Sequence, residues 1–224
     1  MAINLPSYLI DSPFEAIFKQ STSPPLPSAW NHGDSSMFIQ VGENRLRAKY
    51  IGRGRDDTEA AAIRTDFPIP QECGLYYYEV KIINKGVGGY IGVGFAMKHV
   101  ALDRLPGWED DAYGYHGDDG AKFHAFGRGT EFGPKFTTGD VIGCGINFFN
   151  GTAFYTKNGI HLGVAFNDVI GEFYPMIGLR SFPETVEANF GQDKFVFDID
   201  KYAKELYKEV NEGTDISSTI PNTP

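Results

Sequence analysis

Cysteine is scarce in this chain of 224 residues, which contains only Cys73 and Cys144, far apart in the sequence. Such a pair does not make the closely spaced framework of a small disulfide-stapled domain. Cys144 lies inside an alternating apolar segment, so we expect it to pack in the core as a small hydrophobic side chain. Both thiols are therefore predicted to be reduced rather than to form a redox pair.

Positive charge and long apolar runs are also in short supply. The chain has 20 Lys and Arg against 29 Asp and Glu, a formal net charge of −9. The negative electrostatic potential that this charge creates argues against binding to the phosphate backbone of nucleic acids and weakly favours basic partners. No apolar run approaches the roughly 20 residues of a membrane helix, and the N-terminus lacks the features of a signal peptide. We therefore expect a soluble intracellular protein that binds neither nucleic acid nor membranes.

Recognisable catalytic and metal-binding motifs are missing. The histidines at positions 32, 99, 116, 124 and 161 form no HxH or HExxH motif, and no CxxC occurs. His116 with Asp118 and Asp119 is the nearest metal candidate, but acids beside glycine more often cap turns. Neither a Gly-x-Ser-x-Gly elbow nor a phosphate-binding loop occurs. The sequence thus predicts no metal, no cofactor and no catalytic residue.

Turn residues and short apolar segments are abundant, with 27 Gly and 13 Pro in a chain that is 42% hydrophobic. This balance is typical of many turns between short strands. Asn150-Gly151 and Asn158-Gly159 are the clearest signals, because Asn-Gly supplies both positive φ angles of a type I′ turn. We predict an antiparallel meander of three strands, Val141–Phe149, Thr152–Lys157 and Ile160–Phe166.

Further short segments bring the total to about ten strands. In one of them Tyr76, Tyr78, Val80 and Ile82 share a face that we assign to the core, whereas Tyr77, Glu79 and Lys81 face the other way. Because helices do not alternate with these strands, a parallel α/β sheet is excluded and an all-β antiparallel sandwich is predicted. The segments are Phe38–Val41, Arg45–Ile51, Tyr76–Ile83, Tyr90–Phe95, Tyr174–Leu179 and Val186–Phe190.

Short helical patterns flank the strands at both ends of the chain. An amphipathic helix is predicted within residues 3–20, with Asp11 or Ser12 as its N-cap and Pro13 at its first position. A second helix has Asp198 or Asp200 as its cap. The predicted organisation is an N-terminal helix and Pro-rich connector (1–29), a sandwich domain (30–200), a C-terminal helix (201–212) and a linker (213–224).

The segment from Asp103 to Gly120 combines aromatic, acidic and glycine residues. We predict that it is an irregular binding loop without a regular helix or strand, in which Trp108, Tyr113 and Tyr115 either contact a partner or pack structurally. Its acids leave open a glycosidase built on a carboxylate pair. Trp108 and Tyr113 leave open a sugar-stacking, carbohydrate-binding jelly-roll module. The acids are Glu109, Asp110, Asp111, Asp118 and Asp119.

A combination of motifs over about residues 30–200 resembles the SPRY domain of the Ran-binding-protein-M family. This resemblance implies a bent antiparallel β-sandwich of the SPRY/B30.2 type, a concanavalin-like jelly roll with short flanking helices. It implies protein recognition without catalysis. The motifs include Tyr77-Tyr-Glu-Val, Gly89-Tyr-Ile-Gly-Val-Gly, Leu105-Pro-Gly-Trp, Tyr113-Gly-Tyr-His-Gly-Asp-Asp-Gly and Phe154-Tyr-Thr-Lys-Asn-Gly.

The resemblance also implies a partner and a site. Fungal members of the family are scaffold subunits of the GID/CTLH ubiquitin ligase, so a peptide of a substrate or adaptor is the expected ligand, in the cytoplasm and also the nucleus. Relatives continue into LisH, CTLH and helical modules, which we expect to drive oligomerisation and to follow this chain in a longer protein. By position, the implied peptide-binding residues are Lys49, Ile51, Arg53, Gly86, Val87, Leu102, Leu105, Trp108, Tyr113, Arg180, Ser181 and Phe182.

Overall fold

Two antiparallel sheets of seven strands each form a β-sandwich, as predicted. The structure is a computed structural model, and it describes residues 5–12, 14–19 and 24–212. The first sheet has the order β1-β4-β13-β6-β7-β8-β9, and the second has the order β12-β11-β10-β5-β14-β3-β2. In chain order the strands are Trp30–Ser35 (β1), Ile39–Val41 (β2), Arg47–Tyr50 (β3), Ala61–Thr65 (β4), Leu75–Asn84 (β5), Gly92–Ala96 (β6), Ala112–His116 (β7), Ala121–His124 (β8), Thr130–Glu131 (β9), Val141–Asn147 (β10), Thr152–Lys157 (β11), Ile160–Phe166 (β12), Tyr174–Leu179 (β13) and Thr185–Asn189 (β14).

The core lies between the sheets and follows the period-two pattern of the strands. On β5, Tyr76, Tyr78, Val80 and Ile82 are buried in this core, which confirms the predicted face. The hydroxyl of Tyr78 crosses the interior and donates to the Gly94 carbonyl of the other sheet at 2.5 Å. A buried phenol needs such an acceptor, because an unpaired hydroxyl in an apolar core costs about 1–3 kcal/mol.

The meander and the cysteines also follow the prediction. Strands β10, β11 and β12 pair in sequence, and Asn158 and Gly159 have the positive φ angles of 51° and 81° that their turn requires. The turn at Asn150-Gly151 differs from the prediction, because Gly151 has a positive φ but Asn150 does not. Cys73 and Cys144 are free thiols that are buried in the core. Burial raises the pKa of both thiols, so they are protonated and unreactive at neutral pH.

Strand β7 contradicts the prediction that residues 103–120 lack regular structure. Ala112–His116 pairs with β6 on one side and β8 on the other, and all five of its residues are buried. Gly114 is one of the residues that were interpreted as turn signals in this segment. A Cβ there would lie 2.1 Å from the Pro106 carbonyl oxygen, so this glycine marks a close approach to a strand rather than a turn. Strands β1, β4, β8 and β9 were also absent from the predicted strands.

Residues 97–111, which lead into β7, lie across the outer face of the first sheet. Arg64 on β4 donates to both carboxylate oxygens of Asp34, at 2.9 and 3.0 Å, and to the Val100 carbonyl at 2.6 Å. Lys98 donates to the same carboxylate at 2.6 Å. Burial raises the pKa of Asp34, but the hydrogen bonds from Arg64 and Lys98 outweigh it and hold the pKa below its usual value. This ion pair fixes the start of the segment on the sheet.

The outer face of the second sheet is covered by residues from both ends of the chain. Tyr77 faces outward, as predicted, but is fully buried because Phe195 and Phe197 pack against its ring. The carboxylate of Glu79 accepts hydrogen bonds from the Tyr77 hydroxyl at 2.9 Å and from the backbone amides of Val196 and Phe197 at 2.9 Å. Glu79 therefore anchors the chain that leads into the C-terminal helix.

The C-terminal helix, Ile199–Glu212 (α2), begins two residues before the predicted start. Asp198 caps it by accepting from the Lys201 amide at 3.1 Å, and Asp200 accepts from Ser7. Ile199, Ala203 and Leu206 form its buried stripe. Residues 213–224, the predicted linker, lie outside the described residues.

The N-terminal helix is shorter than predicted. A single 3₁₀ turn, Ser7–Leu9, precedes the helix Glu15–Phe18 (α1), whose N-cap is Phe14. Ser12 is not the cap, because its hydroxyl donates to the Leu9 carbonyl and accepts from the Phe14 amide in a turn of its own. Asp11 is not the cap either, and Pro13 lies outside the described residues. Within the part of the chain that the structure describes, no helix has an apolar stretch long enough to cross a bilayer.

Glu79→Ala should destabilise the domain by about 2 kcal/mol, because the part-buried amides of Val196 and Phe197 lose their acceptor and the buried Tyr77 hydroxyl keeps only its bond with Thr156. Urea unfolding measures this free energy. Glu131→Ala, at an exposed carboxylate on β9, is the matched control and should change stability by less than about 0.5 kcal/mol. Equal effects of the two substitutions would mean that Glu79 does not anchor the C-terminal segment.

His116 should make the domain lose stability in mild acid. Its ring is buried, donates from Nε2 to the Pro106 carbonyl at 2.8 Å, and has its pKa lowered to about 4 by burial. Its pKa in the unfolded chain is about 6.5, so the unfolded state binds more protons between these values. The contribution of the neutral His116 ring to the free energy of unfolding is therefore fully present above pH 6.5. It falls by about 3 kcal/mol as the pH drops to 4.

Denaturant unfolding between pH 7 and pH 4 tests this dependence. His116→Gln cannot titrate, so its stability should fall with pH by about 3 kcal/mol less than that of the wild type. His32→Gln, at an exposed position on β1, should follow the wild-type profile. Parallel profiles for His116→Gln and the wild type would overturn the assignment.

Candidate functional site

Three loops converge at one end of the sandwich and are called the rim below: residues 51–60 after β3, 85–91 after β5 and 180–184 before β14. They meet because of the strand register. Thr185 at the start of β14 pairs with Lys49 near the end of β3 and with Asn84 at the end of β5. Neighbouring antiparallel strands thus deliver all three loops to the same edge.

A buried carboxylate ties the rim together. Glu184 is fully buried and accepts from the backbone amides of Arg180 and Ser181 at 2.7 and 2.9 Å. It also accepts from the Ser181 hydroxyl at 2.5 Å, and this hydroxyl in turn accepts from the Gly88 amide at 3.0 Å. Burial raises the pKa of Glu184, and these hydrogen bonds oppose the rise. The loop 180–184 is therefore closed on itself and bonded to the loop 85–91.

Glycines let the other loops approach this one. Gly54 has a φ of +66°, and a Cβ there would lie 2.2 Å from the Arg180 carbonyl oxygen. Gly86 has a φ of +63°, and a Cβ there would lie 2.9 Å from the Ser181 carbonyl oxygen. Only glycine combines this backbone conformation with such close backbone contact.

Arg180 bridges the rim at the surface. Its guanidinium lies 3.5 Å from the centroid of the Tyr90 ring, a cation–π geometry, and its Nη1 donates to the Asp57 carboxylate. Its Nε is buried and has no acceptor among the described residues. One side chain thus connects the loop 180–184 to both of the other loops, which limits their independent motion.

The rim also presents apolar side chains to solvent. Ile51 and Phe182 are 50% exposed, and Val87 is 86% exposed. The Lys49 ammonium lies 5.7 Å from the centroid of the Phe182 ring. Apolar side chains on a fixed backbone are typical of binding anchors, because their burial releases water without ordering the loop that carries them.

The structure brings together eight of the twelve residues that the resemblance implied. Gly86 and Ser181 have structural positions there, in the close backbone contact and in the Glu184 network, and Ser181 is buried. Five of the others have exposed or half-exposed side chains. The sixth, Arg180, is mostly buried by its contacts with Tyr90 and Asp57. The eight residues are Lys49, Ile51, Arg53, Gly86, Val87, Arg180, Ser181 and Phe182.

Two residues of the implied site are not available as anchors. Leu105 is 2% exposed and packs against Gly178 on the outer face of the first sheet. Tyr113 is 7% exposed, and its ring stacks on His124 at 4.0 Å and on Phe95 at 4.9 Å inside the sandwich. Both side chains fill space beside the strands, and a role in peptide binding stays a prediction for them. A buried Tyr113 also removes one of the two rings on which the sugar-binding alternative rested.

Leu102 and Trp108 belong to the segment that covers the first sheet rather than to the rim. Leu102 packs against the buried cluster that contains Ala62 and Met176. Trp108 is half-buried, and its ring centroid lies 6.3 Å from that of His116. These contacts account for both side chains as packing, and a role in binding remains only a prediction for them.

Three of the five acids named above between Asp103 and Gly120 make local contacts. Glu109 accepts from Arg104 at 3.0 Å, and Asp111 lies 3.2 Å from His99. Asp119 caps a turn by accepting from the Ala121 amide at 2.9 Å, as expected for a turn residue. No group of three or more metal-ligating side chains is found in the part of the chain that the structure describes.

Sequence reasoning missed Tyr90, Asp57 and Glu184. Tyr90 was assigned to a strand, and Asp57 lies 123 residues from its partner Arg180. Glu184 had one weak signal, since an acid directly after Phe182-Pro183 lies in a short connection between two predicted strands. No spacing rule links these residues, because their contacts depend on which loops meet at the rim.

Glu184→Ala should destabilise the domain by about 3 kcal/mol and loosen the rim, since several buried donors lose their acceptor. Hydrogen exchange should show faster exchange at the amides of Arg180, Ser181 and Gly88. Glu187→Ala is the matched control on β14, where the carboxylate makes only a surface ion pair with Arg47 at 3.0 Å. If exchange at the rim were the same in both variants, Glu184 would not organise it.

Comparison with known proteins places the chain in a family. A model of the SPRY domain matches residues 75–193, more than half of the chain. Ran-binding protein 9 of Danio rerio is 48% identical over 202 residues, which cover 90% of this chain and 34% of that protein. The Ran-binding protein M homolog of Arabidopsis thaliana is 36% identical over 193 residues, which cover 85% of this chain and 41% of that protein.

A solved structure agrees with this result. The crystal structure of a human SPRY domain superposes with a TM-score of 0.60 at 30% identity, covering 75% of this chain and 100% of that one. The chain spans only about a third to two fifths of the length of the two relatives above. The chain therefore belongs to the SPRY family of protein-interaction domains, and its resemblance to the Ran-binding-protein-M family is confirmed.

Proposed function

We propose that this domain binds a short linear peptide segment of another protein at the rim and has no catalytic activity. One observation carries the proposal: Ile51, Val87 and Phe182 project into solvent from three loops that Glu184 and Arg180 hold together. Burying a side chain of this size contributes about 1.5–3 kcal/mol. Because the loops are already ordered, little of this free energy is lost to ordering them.

The whole protein has a wider role in this proposal. It acts as a scaffold subunit of a ubiquitin ligase of the GID/CTLH type, in the cytoplasm and the nucleus, and the rim recruits a substrate or an adaptor. Oligomerisation resides in modules other than this domain. The resemblance to the Ran-binding-protein-M family supports this role, together with the greater length of the relatives.

The double substitution Val87→Ser and Phe182→Ala should abolish partner binding without unfolding the domain, because both side chains are exposed. Affinity capture from cell extract, followed by calorimetry with synthetic peptides tiled over each captured protein, measures the effect. We expect one peptide segment to bind the wild type and to bind the variant at least about 30-fold more weakly.

Ile170→Ser with Phe126→Ala is the matched control. These side chains are 80% and 73% exposed and lie in the connections before β13 and after β8, at the opposite end of the first sheet. The control should retain both the captured proteins and the peptide affinity. Equal binding by the two double variants would move the function away from the rim.

A further inference from the structure

The carboxylates in the first loop of the rim all have partners. Glu59 accepts from the Arg55 backbone amide at 3.0 Å and from its guanidinium Nε at 2.7 Å. Asp57 accepts from Arg180, and Asp56 accepts from the Thr58 amide at 2.9 Å. Asp57 and Glu59 are therefore paired with arginines, and Asp56 is held in a turn.

Glu184 and Asp118 are two further carboxylates at or near the rim. Glu184 is fully buried beneath it. Asp118 lies in the turn after β7, close enough to Arg180 to be influenced by its charge, and burial raises the pKa of its carboxyl. Asp119, its neighbour, is held by the Ala121 amide.

Three cations at the rim, or beside it at the end of β3, have no carboxylate partner. Lys49, Arg53 and Lys85 make no side-chain hydrogen bond or ion pair with any residue that the structure describes. Arg53 and Lys85 are exposed, and Lys49 is half-buried.

Each free cation accompanies one exposed apolar side chain. The Lys49 ammonium lies beside the Phe182 ring, Arg53 follows Ile51 by two residues, and Lys85 precedes Val87 by two residues. The first pair is in contact in space, and the other two pairs are close in the sequence, so the same surface carries three exposed apolar side chains and three unpaired positive charges. A peptide that places an apolar side chain between carboxylates is complementary to this arrangement.

The net charge of the chain does not oppose such a ligand. The formal charge of −9 is spread over the whole domain, and at physiological salt the Debye length is about 8 Å. A ligand bound at the rim therefore responds mainly to the charges within about 8 Å of it, and these include the three free cations. The sequence-based expectation of basic partners does not apply to this surface.

Building on the proposed peptide-binding function, we propose that the rim selects acidic peptides, in which a central Ile, Leu or Phe is flanked by Asp or Glu. The apolar side chain contacts the exposed surfaces of Ile51, Val87 and Phe182. The flanking carboxylates pair with Lys49, Arg53 and Lys85, which supply the selectivity and a faster association rate.

Three fluorescent pools of synthetic nine-residue peptides test this preference. All have Ile, Leu or Phe at the centre, and the flanks are Asp/Glu, Lys/Arg or Ser/Gly. Fluorescence anisotropy should show the acidic pool binding at least about tenfold more tightly than the neutral pool at about 50 mM salt. The difference should shrink at about 500 mM salt.

Charge-reversal variants locate the effect. Arg53→Glu with Lys85→Glu should weaken binding of the acidic pool at least tenfold. Arg128→Glu with Lys194→Glu changes the net charge equally at exposed positions after β8 and β14, at the opposite end of the sandwich, and should leave the preference unchanged. Equal effects of the two variants would overturn the proposal.

The outcomes separate this proposal from the function on which it rests. If all three pools bind alike and Phe182→Ala weakens all of them, the rim binds peptides but does not select acidic ones. Tighter binding of the basic pool would overturn the acidic preference in the same way. If no pool depends on Phe182, both the acidic preference and the peptide-binding function are overturned.

Discussion

Three buried carboxylates hold the irregular segments of this protein against its two sheets. Asp34 binds Arg64 and Lys98 and so fixes the segment that covers the first sheet, Glu79 holds the chain that leads into α2, and Glu184 closes the rim. A buried carboxylate is costly unless hydrogen bonds satisfy it. Each of these three accepts at least three, so a conformation that breaks one set leaves several polar groups unpaired at once.

This constraint explains how a binding surface can be both irregular and ordered. The loops of the rim have few regular backbone hydrogen bonds, yet Glu184, the Ser181 hydroxyl and the Arg180 guanidinium connect them. The carboxylates of Glu184 and Glu59 are turned inward, whereas Ile51, Val87, Phe182 and the unpaired cations face solvent beside the exposed acids Asp56 and Asp57. The chemistry of the surface is therefore a consequence of how the loops satisfy their own backbone.

Much of the fold was predictable because strands carry local signals. The alternation of Tyr76, Tyr78, Val80 and Ile82 identified the buried face of β5, and Asn158-Gly159 identified a hairpin turn. Strand β7 was missed because Gly114 has the appearance of a turn residue and its close contact with Pro106 is not local. The outward face of β5 was predicted, but the burial of Tyr77 beneath residues near the C-terminus was not.

The sequence by itself determined the all-β class, because alternation and turn dipeptides are properties of neighbouring residues. The resemblance of its motifs implied the family and eight of the residues that lie at the rim. Only the tertiary structure decided which side chains remain exposed. Leu105 and Tyr113 offer apolar surfaces of the same kind as Val87 and Phe182, yet the first two are buried and the others are not. The difference lies in whether another segment of chain packs over the position, and that depends on contacts between residues far apart in the sequence.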